Sequence, residues 1–495
     1  MGDVLNYIDG KWLPAGRGEW FESVNPADGR QSVARVTRSG REDVDRAVEA
    51  ARAAWRSWRL VPAPRRGELL FRAGEILIRR KHELGELVTR EMGKVLAEGL
   101  GDVQEAIDMA FYMGGEGRRL AGETVPSELP DKDCRSIREP VGVTALITPW
   151  NFPIAIPGWK LFASLVCGNT AILKPSSDTP ACAAALVEAL AEAGAPAGVV
   201  NLVNGPGGEI GEYLATHPGV DAVSFTGSVA AGERLEGILG TRHRPLATEM
   251  GGKNAIIVMD DADLDLALEG VLWGGFGTSG QRCTAASRVV VHDRVYDRFL
   301  GMLVEGAGRL RLGDGLLAGT HVGPVVNRQQ CERVLDYIRI GVEEGARLAA
   351  GGRRAAEGEL AHGCFIEPTV FAEVTPAMRI AREEIFGPVV SVLRCADFGE
   401  AAAIVNDVPY GLSSAIYSRD VNTTARAERE LQSGIVYINA STIGAEIQLP
   451  FGGWKHSGSG HPEAGGHGGA LEFFSRVKVI YRDFSGRLQK AQIDR

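Results

Sequence analysis

The chain of 495 residues is 44% hydrophobic and 24% charged, proportions of a globular protein with core enough for two or three domains. Disordered, fibrous and collagen-like chains are excluded. Against 63 Asp and Glu stand 54 Lys and Arg, a net charge of -9, so the basic excess or basic block of a nucleic-acid binder is missing. No apolar run approaches the roughly 18 residues of a membrane helix, and the opening MGDVLNYIDGKW shows no basic-then-apolar leader. Seven scattered cysteines without a CxxC pair point to a reduced, cytoplasmic chain with no metal site.

In REDVDRAVEAARAAWRSWR (41–59), Val44, Ala47, Val48, Ala51 and Trp55 recur at helical spacing, and the periodicity continues over 65–120. The polar, proline-bearing segment between Arg119 and Val141 reads as a connector or extended excursion. Short β-branched runs then alternate with helical stretches: GVTALIT (142–148), TAILKP (170–175), VVNLVNG (199–205), AVSFTG (222–227) and AIIVMD (255–260). This predicts an α/β fold with a doubly wound parallel sheet, on which ligands sit at the carboxyl ends of strands. Near residue 286 a second alternation begins. Its strands are SRVVVHD, FIEPTVF, VVSVLR, LSSAIYS and IVYIN, and its helices lie near 295–309, 328–345 and 399–406. A second α/β domain is expected there. The segment LEFFSRVKVIYRDF (471–484) alternates apolar and polar residues and reads as a late strand.

Four segments carry candidate chemistry. In FTGSVAAGERL (225–235) a strand ends at Gly227 and Gly232 follows in the next helical turn. Backbone N–H groups and a helix N-terminus can receive a pyrophosphate there, although glycines at strand ends are also ordinary turn residues. The formal GxGxxG of Gly275, Gly277 and Gly280 follows a helical stretch rather than a strand, so it reads as a flexible approach to Cys283. Cys283 itself, in GQRCTAASR (280–288), has Arg282 beside it, a setting for an accessible and partly ionised thiol. The plainer reading is a bystander surface cysteine. Glu249, in ATEMGGKN, is awkwardly placed for a solvated charge and is a candidate base with a raised pKa, or else a paired acid at a strand start.

Eight motifs in order resemble the aldehyde dehydrogenase superfamily, over nearly the whole chain from IDGKW (8–12) onward. They are TPWNFP (148–153), GNT (168–170), KPSSDTP (174–180), FTGS (225–228), EMGGK (249–253), GQRC (280–283), EEIFGP (383–388) and PFGGWKHSG (450–458). The resemblance implies NAD(P)-dependent oxidation of a small-molecule aldehyde to the acid. Cys283 is then the nucleophile, passing through a thiohemiacetal and a thioester. Asn151, with the backbone N–H of Cys283, forms the oxyanion hole. Glu249 activates the hydrolytic water, and Lys160 relays the proton toward a second acid near Glu463. For the cofactor, the resemblance places Lys174 at the adenosine ribose and Gly227, Ser228 and Gly232 at the pyrophosphate. Pro149 and Trp150 form the nearby wall, Glu384 meets the nicotinamide ribose and Phe386 packs on the nicotinamide. Phe152, Trp159 and Phe451 wall the aldehyde tunnel, or else are plain core packing.

The same resemblance implies a cofactor domain (1–119 and 141–252), a catalytic domain (253–452) and an oligomerisation element (120–140 and 475–495) of a homodimer or homotetramer. NAD-specific relatives usually carry a Glu three residues after the Lys of the KP motif. Here Ser177 stands there, followed by Asp178, so NADP is expected to be accepted beside NAD. GQRCT resembles both the α-aminoadipic semialdehyde and the non-phosphorylating glyceraldehyde-3-phosphate branches. Glu105 falls where the first has a Glu for the substrate amine and the second an Arg. A carboxylate there repels phosphate, which favours a carboxylate-bearing semialdehyde, optionally with an α-amino group, anchored by Arg282. The plainer reading pairs Arg282 with a neighbouring acid and leaves Glu105 solvated. Alternatives are the phosphate branch, an acylating enzyme that passes the thioester to coenzyme A, and a catalytically silent binding protein. Glu249 argues against the acylating enzyme, and the presence of Cys283, Glu249 and Asn151 together argues against the silent one.

Overall fold

The strand–helix alternation is realised as two separate seven-stranded sheets, beside which the described residues form two three-stranded sheets and one two-stranded sheet. The computed structural model describes residues 2–493, so Met1 and the last two residues of the 475–495 span lie outside the described residues. The first sheet runs in the order Leu246–Glu249, Ala222–Thr226, Val143–Ile147, Thr170–Lys174, Val200–Leu202, Asn6–Ile8, Lys11–Leu13. Its first five strands are parallel, and the hairpin of the last two closes the edge in the antiparallel sense. That hairpin turns on Asp9 and Gly10, both at positive φ, the Asp-Gly turn whose twist suits a two-residue loop.

Helices cover both faces. Val143, Ala145 and Ile147 point into a cluster with Val44 and Val48 of helix Arg41–Trp58, whereas Leu146 points into the opposite cluster. With both faces buried, these strands read as unbroken apolar runs rather than alternating ones. The opposite face carries helices Ala155–Cys167 and Pro180–Glu192. Over them packs a long helical hairpin, Ala63–Met92 and Leu96–Glu116, which breaks at Gly93 with φ +98°.

The second sheet has the order Arg347–Ala350, Thr369–Ala372, Val389–Cys395, Ala286–His292, Asn254–Val258, Ser413–Tyr417, Ile435–Ile438, parallel except at its first strand. Asn254–Val258 therefore belongs to this sheet and not to the first alternation, where its sequence had suggested it. Ile257 and Ile256 enter clusters on opposite faces. A strand buried on both faces looks the same in either sheet until its neighbours are known. The segment after the helical hairpin forms Thr124–Pro126 and Lys132–Pro140, and the latter pairs over nine residues with Ser475–Asp483. Val477, Val479 and Tyr481 of that ribbon are exposed. Among the described residues, no helix is long and apolar enough to cross a membrane.

Candidate active site

Three strand ends of the first sheet converge on one cavity of about 1030 Å³, whose far wall comes from the second sheet. Val143–Ile147 leads into Thr148–Asn151 and then helix Ala155–Cys167. Ala222–Thr226 leads through Gly227 into helix Val229–Gly240, with Ser228 at its N-cap. Leu246–Glu249 ends on Glu249. From the other side, helix Leu264–Phe276 runs into a tight turn and delivers Cys283.

That approach is a helix end and a closely packed turn, not the open glycine loop that the sequence suggested. A Cβ on Gly275 would come within 2.6 Å of Val390, and one on Gly280 would collide with the Gly387 carbonyl. Thr278 and Ser279 are held at positive φ. Strain of this kind persists only where the surroundings impose it. Asn254 Nδ2 fixes the Cys283 carbonyl at 2.7 Å, and Asn151 Nδ2 donates to the preceding Gln281 carbonyl at 3.2 Å. Asn151 and Cys283 both line the cavity.

Arg282 does not ionise Cys283. Its Nη2 lies 3.2 Å from Glu98 Oε1 and its Nε donates to Thr278 Oγ1 at 2.9 Å, so its charge is turned to the tunnel wall. Burial, then the nearby carboxylates of Glu463, Glu249 and Glu384, push the Cys283 thiol above its usual range. Both effects disfavour the thiolate that the neighbouring Arg282 had suggested.

Glu249 is buried, accepts from Gly453 N at 3.0 Å through Oε2 and leaves Oε1 without a protein partner. Burial, with the Glu463 charge added, pushes its carboxyl well above the usual range. Lys160 donates to Ser224 Oγ at 2.6 Å and makes a close ion pair with Glu463, which Thr226 also contacts. Lys160 is thus joined to an acid on the cavity wall without lining the cavity itself.

Gly227 and Ser228 line the cleft; a Cβ on Gly227 would meet the Phe225 ring at 2.6 Å. Gly232 lies one turn beyond, against Met250, and does not line the cleft. Glu384 Oε1 accepts from Gly252 N at 3.0 Å, and burial pushes its carboxyl up to about 6. Phe386 meets Trp150 edge-on at 5.4 Å, beside Pro149. Lys174 folds back onto the carbonyls of Pro175 and Gly205 and is pulled down to about 8 by burial. Neither Lys174 nor Ser177 lines the cavity, although the Ser177 Oγ is buried without a partner and its neighbour Asp178 does line it.

Trp159 and Phe451 pack edge to face at 5.3 Å on the opposite arm. Phe152 lies under Lys94 Nζ at 3.8 Å and under the Arg282 guanidinium at 5.3 Å. Glu105 reaches the cavity from helix Leu96–Glu116, but burial and the Asp102 charge push its carboxyl up to about 8. This favours the neutral acid near pH 7 and weakens the sequence argument that it repels phosphate as a carboxylate.

Sequence reasoning missed Glu98, the acid that holds Arg282. It also missed Gln330, whose Nε2 donates to the Phe386 carbonyl at 2.7 Å, and Asn327, whose Nδ2 donates to Asp178 Oδ1 at 2.9 Å. Asn327 is the N-cap of helix Arg328–Glu343, so an Asn opening that predicted helix was an available signal.

This arrangement has a counterpart in known proteins: the model of the aldehyde dehydrogenase family matches residues 12–480. The chain belongs to the aldehyde dehydrogenase family. The enzyme is 41% identical over 477 residues to the alpha-ketoglutaric semialdehyde dehydrogenase of Bacillus subtilis, covering 96% of this chain and 97% of the relative. It is 44% identical to the alpha-ketoglutarate semialdehyde dehydrogenase of Haloferax volcanii, with 97% and 99% covered. Its fold is similar to that of betaine aldehyde dehydrogenase from Staphylococcus aureus, solved in complex with NAD+. The TM-score is 0.95 at 34% identity, over 98% of this chain and 96% of that one.

Proposed function

We propose that this aldehyde dehydrogenase oxidises a carboxylate-bearing semialdehyde to the dicarboxylic acid, with NAD or NADP as hydride acceptor, through a covalent adduct on Cys283. The observation that carries the reading is the convergence of Cys283, Asn151 and the buried, half-partnered Glu249 on one cavity that Arg282 also lines. Likeness to semialdehyde dehydrogenases supports the substrate class. Asp108 and Glu446 on the same wall favour an additional α-amino group.

The cleft fits a dinucleotide. Gly227 and Ser228 offer amides at a helix N-terminus for the pyrophosphate, and Glu384 offers a carboxylate for ribose hydroxyls. Phe386, Trp150 and Pro149 offer apolar surface for the nicotinamide, while Lys174 and Ser177, next to the lining residue Asp178, would hold the adenosine ribose, with Gly232 supporting the pyrophosphate turn. When bound, the dinucleotide accepts the hydride from the aldehyde carbon.

The chain's own residues do the rest. The Cys283 sulfur adds to the aldehyde carbon as its proton passes to a carboxylate of the site. The Asn151 side chain and the Cys283 N–H donate to the developing oxyanion of the thiohemiacetal. Loss of hydride leaves a thioester. Glu249, its Oε1 free, takes a proton from the water that attacks this thioester; the carbon–sulfur bond breaks and the acid departs. Glu463 and Lys160 carry the proton onward. Phe152, Trp159 and Phe451 exclude bulk water, and Glu105 and Arg282 meet the distal end of the substrate.

The cofactor domain (1–119 and 141–252), catalytic domain (253–452) and oligomerisation element (120–140 and 475–495) belong to the same proposal, supported by the two sheets and the separate ribbon. Its exposed apolar residues Val477, Val479 and Tyr481 suit a contact between copies of the chain. The test is Cys283→Ala: turnover should vanish while the cofactor still binds, because the thiol makes the covalent bond and the dinucleotide is held elsewhere. Residual turnover at the wild-type rate would remove Cys283 from the mechanism.

A further inference from the structure

Glu91 lies just before the break of the helical hairpin and Asp102 in the helix after it, and both are buried. Glu91 accepts from Ala181 N and Cys182 N, each at 2.9 Å, and from Ser23 Oγ at 2.8 Å. Asp102 accepts from Ala155 N at 2.7 Å and Ile154 N at 3.3 Å through Oδ1, while Lys94 Nζ lies 3.1 Å from Oδ2. These amides open helices Pro180–Glu192 and Ala155–Cys167, neither of which is capped by its own N-cap side chain. A helix start has free N–H groups and partial positive charge, and here a carboxylate from a different helix satisfies each one.

The turns just before these two helices are the ones the chemistry uses. Ser176–Asp178 precedes Pro180, and Ser23 ties it further, its Oγ lying 3.5 Å from the Asp178 carbonyl. Asn151 and Phe152 precede Ala155, and the Lys94 ammonium sits 3.8 Å over the Phe152 ring. The Lys94–Asp102 pair is fully buried, and such a pair adds little net stability over an apolar filling. Its value here is geometric.

We propose that Glu91 and Asp102 are positioning residues, Glu91 for the cofactor turn Ser176–Asp178 and Asp102 for the oxyanion turn at Asn151. The inference rests on the roles given above to Asn151 and to that turn. Since each acid acts through a different turn, their variants should separate two readouts that a purely structural role would move together.

The test uses Glu91→Gln and Asp102→Asn in the full chain: Asn keeps one oxygen for both amides that Oδ1 accepts, whereas Gln keeps an oxygen for only one of the two amides that Glu91 accepts through Oε1 and Oε2. Cofactor Kd is measured by fluorescence titration, and hydride transfer by single-turnover absorbance at saturating cofactor. Glu91→Gln should raise the cofactor Kd about fivefold or more, the worth of one weakened charge-assisted bond, and leave hydride transfer within about twofold. Asp102→Asn should do the reverse, slowing hydride transfer about tenfold through a displaced Asn151. Lys94→Met combined with Asp102→Asn, which removes the buried ammonium facing the new amide, should recover most of that rate. Equal changes in both readouts for both variants, or none, would overturn the positioning roles. Wild-type hydride transfer in Asn151→Ala would instead overturn the catalytic reading beneath them. In the wild-type protein, the amides of Ile154, Ala155, Ala181 and Cys182 should exchange hydrogen as slowly as those of Val143–Ile147. Exchange at the rate of exposed loops would also overturn the proposal.

Discussion

Arg282 Nη2 lies 3.2 Å from Glu98 Oε1 inside the tunnel wall, and the same carboxylate accepts from Thr278 N at 2.8 Å. Glu98 therefore holds both the guanidinium beside the nucleophile and the turn that delivers it. Arg282 Nη1 has no protein acceptor among the described residues and remains available to a ligand.

A distal carboxylate would take up that guanidinium edge against the opposing charge of Glu98. Arg282→Ala should then cost roughly 1.5–3 kcal/mol in kcat/KM for a semialdehyde and little for an uncharged aldehyde of equal length. Glu98→Gln, which keeps an acceptor for Thr278, should lower KM for the semialdehyde alone. The efficiency ratio of the two aldehydes in each variant checks both. An equal effect on both aldehydes would make Arg282 structural and remove the anionic-substrate assignment.

Glu105 gives the tunnel a pH response. Its carboxyl is raised to about 8 by burial and the Asp102 charge, so it is protonated below that pH and anionic above. As a neutral acid it donates to a distal carboxylate; once ionised it repels one. KM for the semialdehyde should rise as pH passes upward through about 8, and Glu105→Gln should flatten that rise. A flat profile in the wild type would mean that Glu105 does not meet the substrate.

At the cofactor turn, Ser177 leaves out the carboxylate that would repel a 2′-phosphate, and its Oγ is buried without a partner. Asp178 is already engaged by Asn327 Nδ2 at 2.9 Å and Ser176 Oγ at 3.1 Å, which limits its reach toward the ribose. NADP should therefore be used, and Ser177→Glu should shift preference to NAD through repulsion of the 2′-phosphate. Steady-state efficiencies with both cofactors decide it. An NADP efficiency about a thousandfold below NAD, a gap of roughly 4 kcal/mol, would contradict the assignment.

Most strands and the helices of both layers were legible because each buries a periodic apolar set. What the residues could not display was pairing. Asn254–Val258 carries the same pattern in either sheet, and only its neighbours Ala286–His292 and Ser413–Tyr417 place it. The Asn6–Ile8 and Lys11–Leu13 hairpin was too short for periodicity, although Asp9-Gly10 between them signalled its turn. At the site, motif residues were readable as types, but their ionisation depended on tertiary surroundings. Arg282 beside Cys283 suggested a thiolate until Glu98, 184 residues away in sequence, claimed the guanidinium. Asp102 and Glu91 looked like ordinary acids on helices, because the amides they cap belong to other segments.

The central claim is a covalent acyl adduct on Cys283 that Glu249 discharges. Its most direct test is the Glu249→Gln enzyme mixed with semialdehyde and oxidised cofactor, read by absorbance at 340 nm and by intact-protein mass. One equivalent of reduced cofactor should appear in a burst, steady turnover should stall, and the protein should gain the mass of one acyl group located on the peptide containing Cys283. Near-normal steady turnover with no mass gain on that peptide would contradict the account.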